Sequence, residues 1–196
     1  MKHPKEERTV VLVKPDGVKR GLIGEIISRI EQRNLKIAAL SMIWANRSQI
    51  DRHYPKDKEW IRRLGGKTLG TYEKYNLDSA KELGTKDAYQ IGQKVREWLI
   101  DFLTSGPMVK IIVEGVHAVD MVRKICGNTL PNLAEMGTIR GDYSVDSPAA
   151  ANKDKRSVHN IVHASETPEE AANEMNLWFS KKEIHSFQVS EEEAMF

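Results

Sequence analysis

The sequence predicts an α+β fold in which an antiparallel β-sheet carries helices on one face. Short apolar runs of strand length alternate with helical stretches, and the elements follow the order βαββαβ. That order is typical of a ferredoxin-like sheet. No linker, repeat or low-complexity run divides the 196 residues, so we expect one domain over residues 1–196.

The first half of the chain supplies two strands and two helices. A buried strand is predicted at residues 9–13, where Val10 begins a run of four apolar residues. The second strand is predicted at residues 36–45, and a short helix after it reaches Tyr54. Between the strands, residues 20–33 read as a helix with one apolar face, which consists of Leu22, Ile23, Ile26, Ile27 and Ile30.

The second half begins with charged, helical material at residues 55–104. Its most regular part is residues 87–103, with periodic apolar residues Ile91, Val95, Trp98, Leu99 and Phe102. A strand, a helix, a long loop and a last strand follow, at residues 108–113, 118–126, 127–157 and 158–162. The last strand leads directly to His163.

Charge, hydropathy and cysteine content limit the classes of protein to which this chain can belong. A formal net charge of +2 argues against a surface that coats nucleic acid, and we expect no specific nucleic-acid partner. No apolar run approaches the roughly 20 residues that span a bilayer, so no membrane contact is expected. The N-terminus has no signal-peptide core, and the single cysteine, Cys126, excludes an intrachain disulfide. These features predict a cytoplasmic protein.

His163 is the strongest candidate for a reactive side chain. It follows a short apolar run and precedes a helix whose start is marked by Thr167, Pro168 and Glu170, the pattern of a capping box. A histidine has a reference pKa of about 6.5, so much of it is uncharged and nucleophilic at neutral pH. The alternative is a structural histidine, which is the commoner role for a single one.

Glu174 is the second candidate. It lies three residues after Ala171 and four before Trp178, so it shares their apolar face of the helix. A carboxylate on such a face requires a partner, and it could orient and polarise the His163 ring. The alternative is that Glu174 lies at the edge of that face and is solvated.

Phosphate-binding groups recur along the chain. Lys14 ends the first strand just before the turn at residues 15–17, where its ammonium could act as a point charge on a phosphate. Further candidates are Arg123, Thr129 and Arg140. Each cation, taken alone, could equally be a solvated surface residue.

Together these segments resemble the nucleoside diphosphate kinase family. The resemblance is carried by residues 14–18 (KPDGV) within the N-terminal run, residues 137–142 (GTIRGD), residues 160–165 (NIVHAS) and residues 174–179. It covers most of residues 7–54 and 105–180. The first three of these are ordered and spaced motifs, so chance agreement is unexpected.

The resemblance implies a role for each matched residue. His163 would be the phosphorylated nucleophile, Glu174 its orienting partner, and Ser165 a support for Glu174 or for the turn. Tyr54 would hydrogen-bond near the histidine and the transferred phosphate, and Asn160 would contact the ribose and phosphate end. The nucleotide phosphates would be held by Lys14, Arg123, Thr129 and Arg140. A cluster of such groups can compensate the charge of a transferred phosphoryl group.

The resemblance also implies Mg²⁺ as a cofactor, nucleoside triphosphates and diphosphates as substrates, and a homo-oligomer. No protein metal site is predicted, because Mg²⁺ is expected to be held mainly by nucleotide phosphates and water. The other histidines, His53 among them, show no spacing typical of metal ligands.

The chain departs from the family pattern at Ala164, where glycine is usual, and at Glu166, where aspartate is usual. It is also longer than typical members near residues 57–103 and 144–157, and we expect the first insertion to be helical and not a separate domain. This insertion obscures which aromatic residue stacks on the nucleobase. Trp60 is a candidate by its position, and the alternative is that Trp60 is a core residue of the inserted helices.

The predicted activity is nucleoside diphosphate kinase by a ping-pong mechanism. The alternative is a catalytically silent nucleotide-binding or assembly protein of the same fold.

Overall fold

The computed structural model describes residues 6–189, which form a four-stranded antiparallel sheet with helices around it. The strands lie in the order β2-β3-β1-β4, so the first strand is central and pairs with both the third and the fourth. Their bounds are β1 Glu7–Val13, β2 Lys36–Ile43, β3 Met108–Gly115 and β4 Val162–Ala164. This is the ferredoxin-like topology, and it confirms the predicted fold class.

Within residues 6–189 the helices follow the predicted alternation with strands. Their bounds are α1 Pro15–Lys19, α2 Ile23–Glu31, α3 Arg47–His53, α4 Lys58–Lys74, α5 Ser79–Leu83, α6 Ala88–Thr104, α7 Ala118–Cys126, α8 Ile139–Tyr143, α9 Pro148–Lys153 and α10 Pro168–Trp178. No helix in this described part of the chain is long and apolar enough to cross a bilayer.

Both faces of the sheet are covered. The sequence predicts helices on one face, and there Val11 and Val13 of β1 pack with α2 and α7; the structure adds helices on the second face. On the other face, Val10 and Leu12 pack with residues from α3, α6 and α10. Successive side chains of a strand point to opposite faces. Because β1 is apolar at every position from Val10 to Val13, both of its faces need a cover.

The last strand differs from its predicted bounds of residues 158–162, since β4 runs from Val162 to Ala164. Ile161 has a φ of 69°, a left-handed conformation that a β-branched residue rarely adopts and that interrupts an extended strand. Its N–H donates to Asp16 Oδ2 at 3.0 Å, and its carbonyl accepts from the Lys14 N–H at 2.8 Å. His163 therefore lies within the strand, opposite Leu12, and shares the α3–α6–α10 face.

Helices α4 and α6 form a closely packed pair. A Cβ at Gly65 would collide with the Ala88 carbonyl oxygen, and one at Gly92 would collide with the Ile61 carbonyl. One side of α6 belongs to a small cluster around Tyr72, Leu83 and Ile91, whereas its far end contributes Ile100 and Leu103 to the main core. The helical pair is thus continuous with the sheet through α6.

Candidate active site

His163 is held by a carboxylate that comes from the next helix. Its Nε2 lies 2.7 Å from Glu174 Oε1, and the other carboxylate oxygen accepts from the Ser165 hydroxyl at 2.6 Å. Ser165 in turn accepts from the Val10 N–H of β1 at 3.3 Å. The carboxylate accepts a hydrogen bond from Nε2–H, so Nδ1 is unprotonated and keeps its lone pair.

Burial controls the charge of this pair. Glu174 is only 5% exposed, so it is not at a solvated edge of α10. Burial raises the pKa of the Glu174 carboxyl, and His53 and the Ser165 hydroxyl act against that rise. For His163, burial and then Lys14 hold the imidazole pKa well below its usual range. The ring is therefore neutral at physiological pH and available as a nucleophile.

Lys14 and Asn160, which are 146 residues apart in the chain, meet at this site. Lys14 Nζ donates to Asn160 Oδ1 at 2.6 Å, and Asn160 Nδ2 donates to the Thr129 carbonyl at 2.8 Å. Burial, with a smaller contribution from Arg140, lowers the pKa of the Lys14 ammonium to about 8. The lysine is thus a buried cation whose acceptor is a neutral amide.

Arg140 has the same character. It is 7% exposed and donates to the carbonyls of Gly127 at 2.5 Å, Val162 at 2.8 Å and Asn160 at 3.3 Å. Burial lowers the pKa of its guanidinium. The side chain therefore ties together the loop at Gly127 and the segment that carries His163.

Arg123 and Thr129 lie at the exposed rim of the site. The Arg123 side chain is 44% exposed, and its Nη2 lies 3.8 Å from Glu166 Oε1. Thr129 is exposed, and its carbonyl holds the Asn160 side chain. Both residues are accessible to a ligand that approaches the buried pair of Lys14 and Arg140.

Tyr54 and Trp60 extend the site outward. The Tyr54 ring centroid lies 5.0 Å from that of His53, and the Trp60 ring is 6.2 Å beyond Tyr54 at an interplanar angle of 31°. Burial raises the pKa of the Tyr54 phenol. Trp60 is partly buried near the start of α4, where Asp57 Oδ1 accepts from its backbone N–H at 2.7 Å. A line of rings thus runs from His53 through Tyr54 to the first turn of α4.

Comparison with known proteins identifies the family. A family model described as nucleoside diphosphate kinase matches residues 7–61 and 82–184. The chain belongs to the nucleoside diphosphate kinase family. The match confirms the resemblance seen in the motifs and the assignment to the phosphotransferases. The unmatched residues 62–81 lie inside the stretch interpreted above as the first insertion.

Related sequences and solved structures match this chain over nearly its whole length. The nucleoside diphosphate kinase of Pyrobaculum aerophilum is 46% identical over 178 residues, which is 91% of this chain and 97% of the relative. A crystal structure of an NDP kinase from that organism has a TM-score of 0.90 at 43% identity, covering 92% of this chain and all of the other. A Borrelia burgdorferi nucleoside diphosphate kinase, solved as a transition-state mimic with vanadate and ADP, has a TM-score of 0.77 at 33% identity. It covers 97% of this chain and 96% of its own.

In this candidate site, His53 is the residue that sequence reasoning missed. Its side chain is 2% exposed, and its Nδ1 lies 3.3 Å from Glu174 Oε1, the oxygen that also contacts His163. Its ring meets the His163 ring edge-on at 4.6 Å, and Trp178 Nε1 donates to its Nδ1 at 3.4 Å. Burial, and then His163, lowers its pKa. The sequence feature that could have indicated His53 is its position beside Tyr54 at the end of a predicted helix. The search for metal-ligand spacing did not consider that position.

Proposed function

We propose that this protein is a nucleoside diphosphate kinase that works by a ping-pong mechanism through a phosphohistidine at His163. The observation that carries the proposal is the 2.7 Å contact between His163 Nε2 and Glu174 Oε1, which engages Nε2 and leaves the Nδ1 lone pair as the nucleophile. The Nδ1 lone pair attacks the γ-phosphorus of a nucleoside triphosphate. The bond to the β–γ bridging oxygen breaks, and its electron pair leaves with the nucleoside diphosphate. A second diphosphate then takes the phosphoryl group by the reverse of these steps.

Glu174 assists because the ring becomes positively charged as the N–P bond forms. The carboxylate stabilises that charge through Nε2–H and keeps the ring in one tautomer. Ser165 fixes the second oxygen of the carboxylate, so the ring and its partner are positioned before substrate arrives.

The cations on the other side of the site match the charge of a polyphosphate. Lys14 and Arg140 are buried with amide and carbonyl oxygens as acceptors, and Arg123 lies at the rim. Phosphoryl transfer depends on positioning and on compensation of charge on the equatorial oxygens. Asn160, beside Lys14, is placed to contact the ribose and phosphate end, so triphosphates and diphosphates of several bases would be accepted.

Magnesium fits this site as a companion of the substrate. The group of three metal-ligating side chains found in residues 6–189 is His53, His163 and Glu174, whose ligand atoms lie within 4.8 Å of one another. Two of those ligands are nitrogens, whereas Mg²⁺ prefers oxygen ligands and retains its waters. This cluster is therefore poorly suited to hold Mg²⁺ by itself, and Mg²⁺ would enter on the nucleotide phosphates and neutralise part of their charge.

Self-association is supported by the edge of the sheet. Strand β2 is at one edge, and Leu40, Met42 and the following Trp44 are 47%, 58% and 67% exposed. An edge strand with a row of exposed apolar side chains is a surface for pairing. We propose a homo-oligomer that covers this row, and the molar mass of the protein in solution tests it.

The buried thiol of Cys126 supports a reducing compartment such as the cytoplasm.

The alternative is a silent member of the family that only binds nucleotides or assembles. The grouping of Lys14, Arg140, Asn160, His163 and Glu174 in one site argues against it. The decisive experiment is incubation with ATP labelled at the γ-phosphate. Label on the protein that is acid-labile and base-stable, and that a nucleoside diphosphate then removes, supports the kinase. A protein that binds ATP but takes no label supports the silent alternative.

A further inference from the structure

The C-terminal end of α3 is fastened by an arginine from α6. Arg96 is 8% exposed, and its Nη2 donates to the carbonyls of Asp51 at 2.8 Å and Tyr54 at 3.2 Å. Its Nε donates to the Pro55 carbonyl at 3.1 Å, and its Nη1 pairs with Asp51 Oδ1 at 2.9 Å. One guanidinium thus contacts three backbone carbonyls and one carboxylate at the turn that follows α3.

One of these carbonyls, that of Asp51, lies in the last turn of α3 and needs a partner from outside the helix. The last carbonyls of a helix have no acceptor role within it, and a cation at this end also interacts favourably with the helix dipole. Helix α3 has only seven residues, a length that is marginal without tertiary contacts. The position of its last residues therefore depends on what holds the end.

The fastened residues reach the catalytic pair. His53 is the last residue of α3, and its Nδ1 lies 3.3 Å from the Glu174 oxygen that holds His163. Tyr54 follows, with its ring 5.0 Å from that of His53. A displacement of this turn would move the His53 ring, which packs edge-on against His163, together with the Tyr54 ring beside it, and would remove one neighbour of the Glu174 carboxylate.

We propose that Arg96 is a positioning residue that fixes the His53–Tyr54 turn against His163 and Glu174, and so makes phosphoryl transfer depend on α6. The inference rests on the proposed function, since its main readout is that reaction. Arginine suits the role because its planar fork offers five N–H donors, whereas lysine is a point charge that cannot satisfy three carbonyls at once.

Helix α3 also supplies a matched control at its other end. Arg47, its first residue, pairs with Glu97 and Asp101 of α6, and all three side chains are more than half exposed. Arg47 and Arg96 therefore join the same two helices, but only Arg96 contacts the turn beside the site. Exposed ion pairs contribute little, about 0–1 kcal/mol.

The test compares Arg96→Lys and Arg96→Met with Arg47→Met in the full chain. We expect both Arg96 variants to lower kcat and the rate of His163 phosphorylation by about 10- to 100-fold, the effect of a small misplacement in a catalytic site. KM should change far less, because the phosphate-binding cations are untouched. Arg47→Met should match the wild type. Backbone amides of residues 52–54 and 56 should exchange hydrogen faster in the Arg96 variants than in the wild type and in Arg47→Met.

Thermal unfolding shows which variants are folded at the assay temperature. If Arg96→Met is too unstable, Arg96→Lys still serves as the test, because it retains the charge and most of the buried aliphatic stem. A folded Arg96→Lys protein with wild-type kcat would overturn the inference, as would a loss of stability with no change in kcat. An equal loss in Arg47→Met would also overturn it. A wild-type protein that takes no label from ATP overturns the proposed function instead, and this inference with it.

Discussion

The histidine side and the phosphate side of the site are built in opposite ways. His163, Ser165 and Glu174 come from one strand–helix unit, and eleven residues separate the histidine from its carboxylate. Lys14 and Asn160, in contrast, are 146 residues apart. The first side is assembled by local structure, whereas the second depends on the completed sheet.

The two sides also differ in charge. On the histidine side, a buried carboxylate contacts a neutral ring, and one hydrogen bond from the Ser165 hydroxyl satisfies its other oxygen. On the phosphate side, Lys14 and Arg140 are buried against amide and carbonyl oxygens, and burial lowers the pKa of both. Buried cations with neutral partners carry a desolvation cost that a bound anion would offset. Changes on the histidine side should therefore affect the chemical step, and changes on the phosphate side should affect binding.

The largest effect is expected from His163→Ala, which removes the nucleophile. Labelling by γ-labelled ATP and turnover should both fall to background, while nucleotide binding and the thermal midpoint stay close to wild type. His185→Ala is a suitable control because that histidine is exposed. Phosphohistidine formation in the His163 variant would show that another residue carries the phosphoryl group.

Glu174→Gln should be next in size. A neutral amide cannot stabilise the positive charge that develops on the ring, and positioned groups of this kind contribute about 10²–10⁴-fold. We expect kcat to fall within that range with a modest change in KM. Glu169→Gln, on the exposed side of the same helix, should leave kcat unchanged. Equal turnover in the two variants would remove Glu174 from the mechanism.

The phosphate side can be divided by comparing Arg140→Ala with Arg123→Ala. Both should weaken the binding of ADP, GDP and CDP alike, because charge on phosphate carries no information about the base. Only Arg140→Ala should also lower stability, by about 1–3 kcal/mol for each buried carbonyl left unpaired. Denaturant unfolding and equilibrium binding measure the two effects separately. A loss confined to one nucleotide would mean that these arginines shape the base pocket.

Lys14 makes the phosphate side sensitive to pH. Because the pKa of its ammonium is lowered to about 8, the free protein loses this charge as pH rises through that value. The protonated form binds phosphate better, so ADP affinity should decline above about pH 8. Lys14→Arg should abolish the decline, since arginine stays charged. Binding curves from neutral to alkaline pH test this, and an identical decline in Lys14→Arg would assign it to another group.

The difference between the two sides also explains what sequence reasoning could reach. Glu174 was predictable because helical periodicity places it on the face of Ala171 and Trp178, and the structure puts it there, buried. His53 was not, because its approach to Glu174 depends on how α3 packs over the sheet. The shift of β4 depends on the left-handed conformation of Ile161, which its contacts to Lys14 and Asp16 hold and no local propensity indicates. The fold class followed from the order of elements, whereas coverage of both faces required knowing where α6 and α10 pack.

The smallest effect on the chemistry is expected from Trp60→Ala, which tests whether the outer end of the site reads the base. Trp60 lies one ring beyond Tyr54, at 6.2 Å, where a nucleobase that extends from the phosphate side could stack on it. Stacking of a base on an aromatic ring contributes about 1–3 kcal/mol, so KM should rise roughly 10-fold with little change in kcat.

The matched control is Trp98→Ala, since Trp98 packs on the small cluster of Tyr72, Leu83 and Ile91. That variant should lose thermal stability and keep its KM. If Trp60→Ala instead behaves like Trp98→Ala, then Trp60 is a packing residue of the α4–α6 pair. The histidine side and the phosphate side would then differ in charge alone, and the rings of Tyr54 and Trp60 would contribute nothing to base binding.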